Sequence, residues 1–435
     1  MTEVFTSPAQ SGSQKPCVVE LMLEIIRAVA RQLVFSVFLD YKYIIVYLFF
    51  YMVVKGRLEF IQGFEQCIPG CRTKRLRQVM EELLLAGLIS GFTGGVLTVT
   101  LGLYIEPEGL QTFLVIMVVL ALINHRLVNP SYAGGILSLF ALSFGYDKVH
   151  VPSMLSLIAV IQLVEAVLVY VNRKQDNIPI FIHHRGEMTG AFIKQKYYAV
   201  PFVLLSLSMV PYAIWQNQVR LGWGTMFQAG LPAAAAGAVF LLTGAIGVTN
   251  YSSVAISTAP EEKCRNDAIK FLAGSLILFV LAFLAVKTEA LRWVGAVFAL
   301  VYRELVYQYA LFRERKNKPL YTVVRRGVRI LEIIPGGTAD KMKMKRGEII
   351  LNINGKPVQT EDGIRHVLAG CPTFLWMHTE DPTGQIKIYE HKCYPDGVKD
   401  LGIILVPREW EVTYQVDEYE NFAIIRDIVD KFRFK

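Results

Sequence analysis

Charge is scarce in this chain of 435 residues: Asp, Glu, Lys and Arg make up 19%, against 53% hydrophobic residues, where soluble domains average about 25% and about 45–50%. That balance excludes a disordered chain. Cysteine is rare as well. Six are too few for a disulfide scaffold, and 33 glycines without a three-residue period exclude collagen. The signatures of catalysis are also missing. No His-Glu-x-x-His zinc motif, Gly-x-Ser-x-Gly elbow or phosphate-binding Walker loop occurs, and the nearest imitation, HHRGE at 183–187, has the wrong order. Cys67 and Cys71 form a lone pair without further zinc ligands. The expectation is therefore a protein that is not an enzyme and holds no metal or cofactor. The first residues, MTEVFTSPAQSGSQK, lack the apolar core of a signal peptide. A net charge of +8 would suggest nucleic acid in a soluble protein; with this apolar content it is assigned to membrane topology, with the lipid bilayer and not nucleic acid as partner.

What the chain has in abundance is long apolar runs. A membrane span needs about 20 such residues, and five runs qualify as transmembrane helices: Leu83 to Tyr104, Val151 to Val171, Tyr197 to Trp215, Met226 to Val248 and Ile269 to Val286. Shorter runs, Tyr43 to Val54, Leu110 to Ile123, Tyr132 to Phe144 and Leu291 to Val301, bring the expected number of membrane segments to about eight to ten. Residues 1–16 read as a disordered tail and 17–40 as an amphipathic helix, with Glu20, Glu24, Arg27 and Arg31 on one face. The bundle then occupies 41–312. Lys and Arg gather in 55–78, 172–196 and 249–267 and again from Arg313 to Arg326, which predicts that these segments are cytoplasmic. Cys67, Cys71, Cys264, Cys371 and Cys393 all fall on that reducing side, so no disulfide is expected.

Within the runs, Gln162 and Glu165 lie one helical turn apart, and Arg303-Glu304 ends the last one. Ionisable groups at such depth mark functional candidates; pairing with a polar group on a neighbouring helix is the favoured account of Glu165, with Arg303 and Glu304 at the inner interface. Gly87, Gly91, Gly94 and Gly95, with Gly237, Gly244 and Gly247, are read as close helix packing. The segment Ile178 to Gly190 is read as a connecting loop with topogenic charge, the alternative being a surface for a partner or acidic lipid heads.

From about Tyr321 the pattern changes to alternation punctuated by turns, as in a small half-buried sheet. Strand residues from Val328 to Ile334 lead into Pro335-Gly336-Gly337, and Thr338 is expected to cap a short helix. Asn354-Gly355 marks a two-residue hairpin. Thr360 opens a second helix, Glu361 to Ala369, and strands follow around Thr373 to His378, Ile386 to His391 and Leu401 to Val406. Beyond them, 411–435 reads as an amphipathic tail, with Tyr419, Phe422, Ile425, Val429 and Phe432 at helical spacing.

The stretch GVRILEIIPGGTADKMKMKRGEIILNINGKPV resembles a PDZ domain, placed here at 318–410. Such domains take an extended peptide as an added strand and hold its terminal carboxylate on backbone amides. The amide loop normally comes first, but the fitting sequence here, DLGIILVP, lies last at 400–407, which resembles the circularly permuted bacterial arrangement. The resemblance implies that the amides of Leu401, Gly402 and Ile403 cradle a carboxylate and that Ile404 and Leu405 offer the edge strand. Gly402 would remove a Cβ that blocks approach, and Ile364 and Leu368 would line the groove. The alternative is that 401–406 is simply a buried terminal strand.

The whole arrangement, an α-helical polytopic bundle followed by a small permuted α/β module, resembles the Gram-positive cell-division topology determinants of the MinJ family. The likeness runs from about Val18 to Pro407 and rests on NPSYAGG at 129–135, IPIFIHHRGEMTGAFIKQKYYAVP at 178–201, the charged end of the last helix and the PDZ segment. It departs where the family shows His-Glu and this chain reads Arg303-Glu304. What it implies is a non-enzymatic, multi-pass scaffold in the bacterial cell membrane, enriched at septum and poles, linking DivIVA to the division inhibitor pair MinC and MinD. Two other readings stay open: a relative or regulator of site-2 intramembrane proteases, and a small-solute transporter with a regulatory PDZ domain.

Overall fold

A computed structural model describes residues 18–38, 76–208 and 239–408, with 48, 51–52, 54–56 and 218–219 besides. The 1–16 tail, the Cys67/Cys71 pair, most of the 43–54 run, Gly237 and the 411–435 stripe lie outside the described residues.

Helix α1 spans Val18–Phe38, and α2 spans Leu76–Thr100. A short strand β1, Tyr104–Ile105, leads into α3 (Pro107–Ile123) and α4 (Pro130–Phe144). Helix α5 covers Val151–Val171, and each of α3, α4 and α5 has a proline at its first or second position, which lacks an N–H that the first turn cannot use anyway. After α5 come β2 (Ile178–His184), β3 (Glu187–Ser208), β4 (Gln218–Val219) and β5 (Val239–Ala255). Helices α6 (Pro260–Ala285) and α7 (Glu289–Lys316) complete this part. Among the described residues, three helices are long and apolar enough to cross a membrane, in the ranges Arg77–Thr100, Val151–Lys174 and Pro260–Ala285.

Two of the expected spans are not helical. Tyr197 to Ser208 belongs to β3 and Val239 to Val248 to β5, paired antiparallel from Phe192↔Ala255 to Ser208↔Val239; the rest of both runs lies outside the described residues. A strand buried on both faces shows an unbroken apolar run, so length and hydropathy alone do not separate it from a helix. The residues that decide are Tyr197, Tyr198, Val200 and Val203 on one strand and Thr243, Val248 and Thr249 on the other, aromatic or β-branched side chains that suit a pleated surface.

Gly87 and Gly91 of α2 face this hairpin where helix-on-helix packing is expected, while Gly94 and Gly95 also meet Val164 of α5 and Val29 of α1. A Cβ on Gly87 would overlap the carbonyl oxygen of Ala199, and one on Gly91 that of Pro201. The stretch of β3 between its pairings with β2 and with β1 is thus covered by a helix that comes within backbone contact. Thr98 Oγ1 donates to Val203 O at 2.8 Å, which satisfies an acceptor that would be costly to bury alone. Ile178 to Gly190 is likewise no plain loop: β2 and β3 form a hairpin whose turn, Arg185-Gly186, has positive φ at both residues (54° and 84°).

The remainder, apart from one short strand that joins the first sheet, forms a second sheet. Strands β6 (Tyr321–Thr322) and β7 (Val328–Ile333) precede the short helix α8, Thr338–Lys341. Then come β8 (Ile349–Ile353), β9 (Lys356–Pro357), helix α9 (Glu361–Leu368), β10 (Phe374–Glu380), β11 (Ile386–Lys392) and β12 (Ile403–Leu405). The strand order is β11-β10-β8-β7-β12. Asn354 and Gly355 both take positive φ (49° and 76°) in the β8–β9 turn, and Thr360 Oγ1 caps α9 by accepting from Gly363 N at 3.2 Å. Thr338 is not a cap: Gly337 holds that position, and the Thr338 hydroxyl donates to Asp400 O at 3.0 Å.

Candidate functional site

The second sheet ends on β12, which pairs with β7 on one side and, among the described residues, with no strand on the other. Beside that open edge lies a cleft of about 420 Å³ walled by α9. Ile364 and Leu368 face it from the helix, Leu401, Ile403 and Leu405 from the strand side, and Glu361, Arg365, Lys399 and Asp400 line it as well. Alternation along β12 sorts its side chains. Ile403 and Leu405 turn to the core of this unit, while Ile404 points the other way, into a cluster with Phe181, Phe192, Tyr321 and Leu331. Six of the seven expected groove residues therefore meet at one cleft or its adjoining loop, and the Ile404 side chain does not.

The loop before β12 is tightly held. Gly402 has φ +69°, and a Cβ there would come within 2.8 Å of Gly337 Cα. Glycine is thus required by the loop's own backbone and by its neighbour in the turn before α8, not by an approaching ligand. Leu401 O accepts from Ala339 N and Gly402 O from Ile334 N, both at 2.8 Å. The Gly402 amide itself donates to the Asp400 side chain, Oδ1, at 3.1 Å. An internal carboxylate sits on one of the three amides expected to receive a ligand's.

The second sheet leans on the first. Leu331 fills the space left by Gly190, where a Cβ would lie 2.6 Å from Leu331 Cδ1. Strand β6 pairs with β3 through Thr189↔Thr322 and Gly190↔Tyr321. Arg346 bridges Glu261 at 2.5 Å and Glu332 at 2.7 Å, with its guanidinium above the Phe192 ring. Burial raises the Glu332 carboxyl above its ordinary range, with Arg346 opposing the shift.

A separate polar cluster lies among the helices. Glu165, fully buried, accepts from Arg303 Nη2 at 2.6 Å and from Asn129 Nδ2 at 3.0 Å. Asn129 also caps α4 through Ser131 N, and Gln162 Nε2 donates to Ser131 Oγ at 2.6 Å. Arg126 grips both oxygens of Glu304 at 2.5 Å, and Tyr132 OH donates to Glu304 Oε2 at 3.0 Å. The remaining NPSYAGG glycines, Gly134 and Gly135, leave room for Ile158 and Leu300. Glu165 and Arg303 stand out in the sequence as charges in apolar runs; Asn129 and Arg126 come from a distant hairpin that no local pattern links to them.

Comparison with known proteins adds one pointer. The cell division topological determinant MinJ of Bacillus subtilis strain 168 is 26% identical to this chain over 149 residues. The match takes in 33% of this chain and 38% of MinJ, so it supports a distant relationship to MinJ over a third of the chain, less than the Val18 to Pro407 extent expected from the sequence. No family model matches the chain.

Proposed function

We propose that this chain is a multi-pass membrane scaffold of bacterial cell division that works by binding and not by covalent chemistry. Its C-terminal unit is read as a circularly permuted PDZ domain on the cytoplasmic side, taking an extended peptide against β12. The ligands in this reading are division proteins of the DivIVA and MinC/MinD type, met at the membrane of the septum and poles. Support comes from the distant likeness to MinJ, from three helices of spanning length and above all from the cleft between α9 and the edge of β12 that no strand pairs among the described residues. That edge presents backbone donors and acceptors, with Ile364 and Leu368 beside it, which is what strand addition needs.

The test uses the full chain in detergent and purified DivIVA-type and MinC/MinD-type proteins. A substitution at Gly402 would disturb the loop itself, so the blocking variant is Ala369→Trp, at an exposed position on the cleft wall. Wild type should retain at least one of these proteins and the variant should lose it. Equal retention by both would defeat recognition through the cleft; retention by neither would defeat the division reading.

A further inference from the structure

The cleft between β12 and α9 has a candidate occupant in the chain itself. The described backbone runs past β12 to Arg408, and residues 409–435 follow. The first of these, EWEVTYQV at 409–416, alternate strictly: Trp410, Val412, Tyr414 and Val416 are apolar, while Glu409, Glu411, Thr413 and Gln415 are polar. Aromatic and β-branched residues at a period of two are the pattern of a strand with one buried face.

The connection to β12 sets direction and face. Gly402 O and Val406 N bond to the β7 side, so by alternation the backbone groups of Ile403 and Leu405 point to the open edge. Pro407, next in that series, has no N–H to offer there, and proline suits the second position of a type I turn. A four-residue loop built on such a turn, Val406 to Glu409, is a common hairpin connection. It would set Trp410 opposite Leu405 and Val412 opposite Ile403. Residues opposite each other in an antiparallel pair share a face, and Ile403 and Leu405 line the cleft. The apolar side of 410–416 would therefore fall toward Ile364 and Leu368. Charge agrees: Glu409 and Glu411 follow Arg408, whose Nη2 donates to Arg325 O at 3.4 Å, and Arg325 and Arg326 are exposed there. The loop before β12 also suits a strand that does not end at it, because the Gly402 amide is already met by Asp400 Oδ1 at 3.1 Å and requires no terminal carboxylate.

We propose that residues 410–416 add to β12 as an antiparallel strand and fill the cleft, so that any partner must displace them. The proposal rests on the reading of β12 as a strand-accepting edge. A tether this short holds the segment at about millimolar effective concentration, and a partner's apparent affinity falls with the fraction of open cleft.

The test is hydrogen exchange, read by mass spectrometry over residues 401–408 of the full chain in detergent with no partner added. Wild type is compared with Val412→Pro/Tyr414→Pro, which deletes the two N–H groups that would donate to Ile403 O and Leu401 O. Exchange there should be about tenfold faster in the variant, with exchange in β10 unchanged as the control for folding. In this pairing the Thr413 amide points away from β12, so Thr413→Pro should exchange as wild type does. Equal rates in wild type and the double variant, or equal acceleration by Thr413→Pro, overturn the proposal. Retention of DivIVA-type and MinC/MinD-type proteins, measured on the same samples, tests the underlying reading separately. Faster exchange with nothing retained upholds the tail strand and defeats the division reading; equal exchange with a protein retained does the reverse.

Discussion

Glu314 shows how much one side chain near a helix end can hold. It is 4% exposed, pairs with Lys263 at 3.3 Å and accepts from Ile256 N, Ser257 N, Ser257 Oγ and Thr258 Oγ1. Burial alone would raise its carboxyl, but Lys263 and then these hydrogen bonds outweigh it and hold the group below its ordinary value. A carboxyl depressed in the folded state gives stability that is fully present above its unfolded value and lost as pH falls through the folded one. Glu314→Ala should therefore cost about 3–5 kcal/mol at neutral pH, with the difference from wild type shrinking in acid below the usual carboxylate range; denaturation at several pH values reads both. In the sequence Glu314 is one charge in a basic stretch, and nothing local distinguishes it, because its partners belong to the turn before α6. Asp400 is a second such residue, and its prediction rests on the peptide reading. Asp400→Ala frees the Gly402 amide and removes a negative charge, so the preference for a peptide with a free C-terminal carboxylate over its amidated twin should rise about tenfold, the worth of one charged hydrogen bond. Fluorescence anisotropy with the matched pair measures it, and an unchanged ratio would place the carboxylate elsewhere.

At the scale of elements, the sequence is most informative where period and punctuation agree. Helix α5 coincides with its apolar run, and the Asn354-Gly355 turn and the Thr360 cap were readable because each needs a particular residue for a local reason. The β3–β5 pair was not readable as strands, since the partner that buries each face lies some fifty residues away and each strand alone satisfies the length rule for a span. Spacing showed that the glycines of α2 allow close packing, but not against what. Because Gly87 and Gly91 meet backbone carbonyls of β3 and not flexible side-chain ends, relaxation around an added Cβ requires the helix or the strand to move. Gly91→Leu should then destabilise the protein by at least about 1–3 kcal/mol, whereas Ile89→Leu, on the exposed face of the same helix, should be neutral. Thermal unfolding in one detergent compares them; equal midpoints would mean that α2 does not lie on the hairpin.

Across the whole molecule the informative feature is the join between the two sheets, which no segment of sequence displays. Ile404 reaches into the cluster of Phe181, Phe192, Tyr321 and Leu331 while its neighbours Ile403 and Leu405 face the other core, so the strand bordering the cleft is fastened from behind to the hairpin of the first part. Leu320 N donates to Ile256 O at 2.9 Å, and Arg185 Nη2 donates to Lys316 O at 2.8 Å, which pins the connection from α7 at both ends. A ligand lying along β12 would then be held at a fixed angle to the helices instead of on a free tether, and fixed geometry lowers the ordering cost of assembling a complex. Arg346 is the polar clasp of this join. Arg346→Ala leaves Glu261 and Glu332 facing each other without their shared cation and should loosen the contact while sparing each core. The expected outcome is faster trypsin cleavage after Lys316, with the far-ultraviolet circular dichroism of wild type. Leu331→Asp, which places a charge in the apolar half of the join, should act in the same direction and more strongly. Unaltered cleavage in both variants would show that the C-terminal unit is held by its covalent link alone, and the cleft would then have no set orientation to present.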